Sequence, residues 1–349
     1  MPIDLELKKI EEHSVGGMQV FFIGGERNKP LVFIAKDALP LTKEIEWMHL
    51  LNYLGFSVAT LHYRGLGNSS GEMTINESTL SPVDDIISAV DFAHREMAGR
   101  RLAPRHERAV HVLSYSFGGF PAMAALPRLE GAKKLVAYSP PIPSPSKERA
   151  SLYGFGTKFE KMGGILALYS DEASPFYIRG FDGREARNFF GGENPADLSG
   201  LFAAVSDNRL QIDIMHTRSD SWNAFLRTQD FVYSANRWCY HHKRSPIARI
   251  IPLENGSDHI SGFGYNEIAL AMHLLTGNGL HIYKMEIGRF SDRARFLAKN
   301  IERGKLTIKV PFYSENIKSL MNNAHGVFSQ ESANMVLFGI YPSAPKYAS

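Results

Sequence analysis

The sequence predicts an α/β fold with a mostly parallel central sheet flanked by helices, and three observations support this prediction. Strand-like apolar segments alternate with amphipathic helical segments over residues 1–139. The same alternation resumes at residue 205 and continues to residue 277. At residues 110–125 a strand runs into the turn Ser-Tyr-Ser-Phe-Gly-Gly and then directly into a helix. Because parallel strands are joined by crossover helices, such alternation favours a sheet that is covered on both faces.

Length and composition are those of an ordinary soluble globular protein. The chain has 349 residues, of which 44% are hydrophobic and 21% charged, and its net charge of +3 gives no reason to expect a nucleic-acid partner. Cys239 is the single cysteine, which excludes an internal disulfide and a cysteine-based zinc site. The charged segment 1–13 does not resemble a signal peptide, and no apolar run has the length of a membrane span. We therefore expect a cytoplasmic location.

The individual elements follow from residue type and spacing. In the segment 81–97, apolar residues recur at intervals of three and four, which only a helix aligns on one face. Ser81 is the candidate cap of this helix, and Pro82 is expected at its first helical position. β-Branched and aromatic runs indicate the strands. Strands are predicted at 18–25, 30–35, 56–64, 109–116, 133–140, 210–220 and 248–259, and helices at 41–56, 81–97, 117–129, 265–277 and 291–305.

The chain divides into four predicted parts. Residues 1–139 and 205–277 form the two halves of the core, and residues 278–349 form a C-terminal extension without an assigned role. Residues 140–204 interrupt the alternation with prolines, paired glycines and many aromatic residues, which is typical of a lid insertion. These apolar side chains either line an acyl pocket or pack the lid onto the body. They are Leu152, Tyr153, Phe155, Phe159, Leu166, Leu168, Tyr169, Phe176, Tyr177, Phe189 and Phe190.

The turn at residues 114–119 points to a nucleophile. A strand-to-helix turn that is sharp enough to expose a serine oxygen needs small residues two positions before and two positions after that serine. Ser116 meets this requirement, with Ser114 before it and Gly118 after it. The N-terminus of the following helix favours negative charge that develops at Ser116. Ser114 has no glycine two positions downstream and is therefore the weaker candidate.

A serine nucleophile needs a base and an acid that orients the base, and both follow later strands in this sequence. Asp220 lies in the polar turn at the end of the segment 210–220, and His259 lies in the loop at the end of the segment 248–259. The order Ser116, Asp220, His259 is the order that this architecture requires. Asp258 and Asp213 are alternative acids. Structural roles are expected for His62, His111 and His216.

At these residues the chain resembles the α/β-hydrolase fold superfamily, over residues 15–277. Besides the serine turn and the acid and base loops, "LHYRGLGNSSGE" is similar to the family's D-x-R-G-x-G-x-S loop, with His62 in place of aspartate. The resemblance implies an α/β-hydrolase fold with a lid insertion and a C-terminal extension. It also implies a serine hydrolase that acts on ester bonds, as carboxylesterases and thioesterases do. No metal or other cofactor is expected, since no ligand spacing or G-x-G-x-x-G motif occurs.

The resemblance further implies an oxyanion hole built from two backbone N–H groups. By position these belong to Phe117, which follows the nucleophile, and to Asp37, which follows the strand at 30–35. The family usually has His-Gly after this strand, whereas this chain has Ala35-Lys36-Asp37-Ala38. A carboxylate that faced an oxyanion would be unfavourable, so we expect the side chain of Asp37 to point away from it.

The predicted activity is cleavage of an ester or thioester of an apolar acyl group through an acyl-serine. The stretch 67–81 is also similar to the acyltransferases that supply fatty acid to bacterial luciferase, which implies an acyltransferase or thioesterase acting on an acyl carrier protein as an alternative. Basic residues Lys243, Arg244 and Arg249 would then meet the acidic carrier. A catalytically silent binding protein of the same fold is the third alternative. A homodimer is an open alternative for the oligomeric state.

Overall fold

The structure is a computed structural model. It describes residues 8–37, 43–76, 78–102, 109–143, 169–172, 177–191, 197–218, 220, 225–253 and 265–302. The predicted base His259 and the alternative acid Asp258 lie outside these residues, as do most of the predicted lid and residues 303–349.

In the described part of the chain, eight strands form one sheet with the order β1-β2-β4-β3-β5-β6-β7-β8. The first two strands form an antiparallel hairpin, β2 pairs antiparallel with β4, and the strands from β4 to β8 are parallel to one another. The strands are β1 Glu11–Val15, β2 Met18–Ile23, β3 Leu31–Ala35, β4 Ser57–His62, β5 Val110–Tyr115, β6 Ala132–Tyr138, β7 Gln211–Thr217 and β8 Ala248–Leu253.

Helices cover both faces of the sheet. Val112 of β5 packs into the cluster that contains α2 and α3, whereas Leu113 packs into the cluster that contains α1 and α7. This division follows from the strand, because successive side chains point to opposite faces. The helices are α1 Lys43–Tyr53, α2 Ser81–Gly99, α3 Gly119–Ala125, α4 Gly183–Gly191, α5 Ser199–Asp207, α6 Phe225–His241, α7 Tyr265–Thr276 and α8 Leu280–Glu302, with 3-10 turns at Ser116–Gly118 and Leu126–Arg128.

The prediction of a mostly parallel sheet flanked by helices is confirmed. The seven predicted strands correspond to β2–β8, and the predicted apolar face of α2 is buried against the core at Val83, Ile86, Val90, Ala93 and Met97. The predicted cap of α2 is wrong. Ser81 is the first helical residue rather than the cap, so Pro82 is the second helical residue and not the first. The Ser81 hydroxyl accepts a hydrogen bond from the Thr74 N–H at 3.0 Å.

The sequence analysis did not place β1, α4, α5 or α6. In α6 the buried residues Thr228, Phe231, Ala235 and Cys239 recur at helical spacing. Large apolar residues also stand on the exposed faces, among them Leu226, Tyr233 and Tyr240, and they obscure this stripe in the sequence. Helix α5 packs on α6 through Phe202 and Phe231, whose ring centroids are 5.6 Å apart. The boundary predicted between residues 204 and 205 therefore falls inside a helix that packs on the body.

Because β3–β8 are parallel, their carboxyl ends lie at one edge of the sheet, which we call the carboxyl edge. Asp37 follows β3 there, Tyr63 follows β4, Ser116 follows β5, and Asp220 comes after β7. The carboxyl edge of an open parallel sheet is the usual location of a binding site. The fold thus brings the predicted site residues that it describes to a single edge.

Candidate active site

Ser116 lies at a sharp, strained turn between β5 and the helix that follows. Tyr115 is still extended, with φ −138° and ψ 134°, whereas Ser116 has φ +46°. A residue with a side chain adopts this left-handed conformation at a cost of about 1–2 kcal/mol. Gly119 donates its N–H back to the Ser116 carbonyl, which starts the helical segment at once. The backbone therefore has the form that exposes a serine oxygen above a sheet.

Gly118 and Gly119 are both required by close packing around the turn. A Cβ atom added to Gly118 would overlap the carbonyl oxygens of Ala35 and Lys36, at the end of β3. A Cβ atom added to Gly119 would overlap Pro140, which follows β6. The conformation of Gly118 is ordinary, with φ −63°, so the need for glycine at this position is one of space. The turn thus packs tightly between the segments that follow β3 and β6.

Ser114 has a different role from Ser116. Its side chain is fully buried, and among the described residues its hydroxyl makes no hydrogen bond. Ser114 pairs with Ala35 of β3 and with Ala137 of β6, in the interior of the sheet. A hydroxyl in that position is not accessible to a substrate, which agrees with the preference for Ser116.

Asp220 is fully buried just beyond β7 and is bound to His216. The distance between His216 Nε2 and Asp220 Oδ2 is 3.3 Å, and His216 Nδ1 lies 2.7 Å from Thr228 Oγ1 of α6. The Asp220 N–H donates to the Thr217 carbonyl at 3.2 Å, which forms the turn after the strand. His216 therefore contacts the Asp220 carboxylate from within β7 and has the position of a structural histidine.

The alternative acid Asp213 forms ion pairs with Arg249 and Lys134 in the interior of the sheet. It lies in the middle of β7, fully buried, and accepts hydrogen bonds from Arg249 Nε at 2.5 Å and Arg249 Nη2 at 2.9 Å. Lys134 Nζ of β6 lies 2.9 Å from its second oxygen. Asp213 thus joins three neighbouring strands, away from the carboxyl edge. This placement favours Asp220 as the orienting acid.

The loop after β3 contains a buried cluster of charged side chains. Lys36 is fully buried, and its ammonium donates a hydrogen bond to the Asp37 carbonyl at 2.9 Å and lies 3.7 Å from Asp37 Oδ1. Glu44 of α1 is also buried, and its charge and that of Asp37 oppose the effect of burial, which lowers the pKa of Lys36. The carboxylate of Asp37 is therefore engaged by the ammonium of the preceding residue.

Tyr63 completes this loop and was missed by the sequence analysis. Its hydroxyl donates a hydrogen bond to the Lys36 carbonyl at 3.0 Å, and its ring packs edge-to-face on Phe117, with the centroids 5.8 Å apart. Burial, with Asp85, Asp37 and Glu44 nearby, raises the pKa of Tyr63 well above its ordinary value, so the hydroxyl remains a donor. Its position directly after a buried strand was the signal available in the sequence.

His62 lies beside this loop, where the family that the chain resembles has aspartate. It is buried, and its Nδ1 lies 2.9 Å from Gln19 Oε1. Burial, and secondarily the charge of Lys36, lowers the pKa of His62 well below its ordinary value, so the imidazole is neutral. Ser69 Oγ donates to the His62 carbonyl at 2.9 Å. These bonds give His62 a structural role.

Aromatic side chains connect the described part of the predicted lid to the turn that carries Ser116. Phe190 of α4 packs against Phe117 and Phe120, with the centroids 6.4 Å apart in both cases. Phe189 packs against Phe120 at 5.7 Å. Arg227 Nη1 of α6 donates to the Phe190 carbonyl at 2.6 Å. These lid aromatics therefore pack the insertion onto the body and at the same time make the surroundings of Ser116 apolar.

The basic residues that were predicted to meet a carrier lie at the other edge of the sheet. Helix α6 ends at His241 and β8 begins at Ala248, so the intervening segment is at the amino edge, about 20 Å along the strands from the carboxyl edge. Arg244 is paired with Asp207 at 2.9 Å, and Arg249 with Asp213. Docking of a carrier on these residues would place it far from Ser116.

None of the helices in the described part of the chain combines the length and apolar character that crossing a membrane requires. Among the same residues, no group of three or more histidine, cysteine, aspartate or glutamate side chains is arranged to hold a metal ion.

No protein-family model matches the sequence, and no curated protein matches it. Solved structures do. AbyA5 is 14% identical, with a TM-score of 0.52 over 82% of this chain and 73% of AbyA5. An esterase of Pyrococcus furiosus is 15% identical, with a TM-score of 0.47 over 84% of this chain and 93% of the esterase. Dipeptidyl peptidase 4 of Porphyromonas gingivalis is 15% identical, with a TM-score of 0.48, and this chain spans only 35% of its length. At 14% identity, the likeness to AbyA5 concerns the fold alone.

Proposed function

Because this chain has the α/β-hydrolase fold, we propose that it is a serine hydrolase that cleaves an ester or thioester of an apolar acyl group. The observation that carries the proposal is the strained conformation of Ser116, with φ +46° at the carboxyl edge, directly before a helix. Strain at a non-glycine residue persists only where the surrounding structure enforces it, and it concentrates at functional sites. Asp220 supports the proposal, since it is a buried carboxylate at the same edge of the sheet.

In the proposed reaction, Ser116 Oγ attacks the carbonyl carbon while His259 takes the hydroxyl proton. Asp220 orients the imidazole and stabilises its charged form. The bond between the acyl carbon and the leaving oxygen or sulfur then breaks, and His259 protonates the leaving group. Water attacks the acyl-serine with His259 again as the base, which releases the acid and restores Ser116. N–H groups of Phe117 and Asp37 stabilise the oxyanion in both steps.

The apolar character of the acyl group is inferred from the surroundings of Ser116. Phe117, Phe120 and the lid residues Phe189 and Phe190 form a continuous aromatic cluster next to the turn. Arg227, which lies beside this cluster, is partly buried, and burial lowers its pKa to about 10. An uncharged acyl chain loses little on entering such surroundings, whereas a charged one would lose its hydration.

A burst-phase assay with p-nitrophenyl esters of increasing acyl length tests the proposal. We expect a burst of p-nitrophenol close to one equivalent per chain, because acylation of Ser116 precedes a slower deacylation. Ser116→Ala should abolish the burst. Ser114→Ala is the matched control, since it removes a buried hydroxyl two residues away and should leave the burst intact. A burst of equal size in Ser116→Ala would refute the assignment.

Two additions to this assay separate the alternatives. Added alcohols or thiols that accelerate turnover after the burst would indicate an acyltransferase rather than a hydrolase. A fluorophosphonate probe reacts with an activated serine whatever the acyl preference, so it covers substrates that the ester series lacks. Absence of both the burst and the labelling would favour the catalytically silent binding protein.

A further inference from the structure

The peptide groups on both sides of Asp37 are each held by a buried side chain. The Tyr63 hydroxyl donates to the Lys36 carbonyl at 3.0 Å, and the Lys36 ammonium donates to the Asp37 carbonyl at 2.9 Å. Tyr63 and Lys36 are both fully buried. Two side chains from different strand ends thus fix the backbone of one residue, and we call this arrangement the Asp37 clamp.

The clamp determines the direction of the Asp37 N–H. A peptide group is planar, and no cis peptide bond occurs in the described part of the chain, so the Lys36 carbonyl and the Asp37 N–H point in opposite directions. A donor that fixes the carbonyl of Lys36 therefore also fixes the N–H of Asp37. The same carbonyl lies against Gly118, so this peptide group and the turn at Ser116 are in direct contact.

The clamp also neutralises a charge at the predicted oxyanion hole. Asp37 would place a carboxylate next to a developing negative charge, and at a few ångströms in a poorly hydrated site such a repulsion is large. Lys36 Nζ lies 3.7 Å from Asp37 Oδ1, and only 15% of the Asp37 side chain is exposed. The ammonium therefore compensates the carboxylate and draws it toward the buried side of the loop.

We propose that Tyr63 and Lys36 are positioning residues for the oxyanion hole: Tyr63 aims the Asp37 N–H, and Lys36 neutralises the Asp37 carboxylate. This inference rests on the proposed serine hydrolase function. It accounts for a lysine and an aspartate at positions where the family that the chain resembles has no such pair. Neither Tyr63 nor Lys36 touches the substrate in this arrangement.

Tyr63→Phe is the first test, because it removes one hydroxyl and keeps the ring that packs on Phe117. We expect the acylation rate constant, measured in the burst, to fall by about 10- to 100-fold. A trifluoromethyl ketone that carries the preferred acyl chain should bind more weakly by the same factor, since its adduct with Ser116 has an oxyanion. The matching methyl ketone should bind unchanged. The paired inhibitors separate a lost oxyanion donor from a general loss of structure.

Tyr283→Phe is the matched control, because Tyr283 is also buried and its hydroxyl lies 2.8 Å from Thr276 Oγ1, between α7 and α8. It should change neither the acylation rate nor the affinity for the trifluoromethyl ketone. A Tyr63→Phe protein within twofold of the wild type in both measurements would overturn the inference. Equal losses in both tyrosine variants would also overturn it, since they would reflect stability alone.

Lys36→Met tests the charge, in the single variant and together with Asp37→Asn. We expect the single variant to acylate at least about 100-fold more slowly than the wild type, since it loses both the compensation and a loop contact. The double variant should recover about 10-fold, since the uncompensated carboxylate is gone. If the double variant acylates as slowly as Lys36→Met alone, Lys36 does not act by neutralising the Asp37 carboxylate. If Lys36→Met does not fold, Lys36→Gln replaces it in the same pair of measurements, since glutamine removes the charge and keeps a hydrogen-bond donor.

These outcomes are distinct from failure of the proposed function. A wild-type chain that gives no burst and forms no adduct with the trifluoromethyl ketone would remove the serine hydrolase proposal and this inference with it. A wild-type chain that acylates normally, with unaltered Tyr63→Phe, would remove the inference alone.

Discussion

At the residue scale, the arrangement around Ser116 depends on the lack of a side chain at Gly118. The left-handed conformation of Ser116 is unfavourable by itself, and the packing of Gly118 against the end of β3 helps to enforce it. A side chain at position 118 would push the turn away from the loop that carries Asp37. Because Gly118 has no side chain, the turn that carries the proposed nucleophile can pack directly against the loop that carries the proposed oxyanion donor Asp37.

Gly118→Ala tests this connection through stability. The added methyl group would overlap backbone atoms rather than a flexible side chain, so we expect the free energy of unfolding to fall by about 1–3 kcal/mol. Urea denaturation at neutral pH measures it. Gly200→Ala in α5 is the control, because its added Cβ has nothing within 4 Å, and it should be neutral or slightly stabilising. Equal stability of Gly118→Ala and the wild type would show that the turn has room to spare.

At the element scale, the two buried aspartates of β7 and its following turn, Asp213 and Asp220, have different proposed roles. Asp213 joins β6, β7 and β8 through Lys134 and Arg249, whereas Asp220 lies beyond the end of β7 and contacts His216. A carboxylate in mid-strand stabilises the sheet, and one after the strand is available to a site at the carboxyl edge. The two aspartates lie close together in the sequence, and their positions in the chain alone do not show which one stabilises the sheet and which one is the proposed acid.

Substitution of each aspartate by asparagine should distinguish the two roles, because one variant should lose stability and the other should lose acylation. Asp213→Asn leaves a lysine and an arginine without their shared carboxylate, and we expect it to lower the free energy of unfolding by about 2–3 kcal/mol while the acylation rate stays within a few-fold. Asp220→Asn should slow acylation by about 10⁴-fold, because the imidazole loses its orienting charge. Chemical denaturation and the burst assay report the two effects. Loss of acylation in Asp213→Asn, with Asp220→Asn active, would reverse the assignment.

At the scale of the whole molecule, burial holds several histidines neutral. Burial lowers the pKa of His49 to about 4, and burial with the charge of Lys134 lowers the pKa of His111 to about 4. His62 is shifted in the same direction. An unfolded chain protonates these side chains near pH 6.5, before the folded chain does. The unfolded state therefore binds more protons in this range, and the folded state must lose stability as the pH falls.

The expected result is a free energy of unfolding that decreases between pH 6.5 and pH 5. Each buried histidine contributes up to about 1.4 kcal/mol per pH unit over this range. His49→Leu removes one titrating group, so its stability curve should be flatter by up to that amount below pH 6.5 and parallel to the wild-type curve above pH 7.5. Urea titrations over this pH range measure both slopes. A His49→Leu curve with the wild-type slope below pH 6.5 would show that His49 is not a source of the pH dependence.

The amino-acid sequence was sufficient to predict the strands β2–β8, the helices α1–α3 and α7, and the edge of the sheet at which Asp37, Ser116 and Asp220 lie. These depend on local periodicity and on small residues at fixed offsets from Ser116, both of which are readable along the chain. It was not sufficient for the helix α6, because apolar residues such as Leu226, Tyr233 and Tyr240 also occupy its exposed faces and obscure the buried stripe, which only packing in the folded chain reveals. The proposed base His259 remains a prediction from its place in the order of motifs.

The tertiary structure was needed to establish which charged and polar residues at the strand ends act on one another. Tyr63 and Lys36 lie 27 positions apart in the chain, and their hydrogen bond exists because β3 and β4 are adjacent and parallel, so both strands end at the same edge. The same geometry puts Lys243 and Arg244 at the opposite edge, although a basic run in the sequence is equally compatible with either place. Strand order fixes such distances, and strand order is set by the packing of the whole sheet rather than by any local pattern.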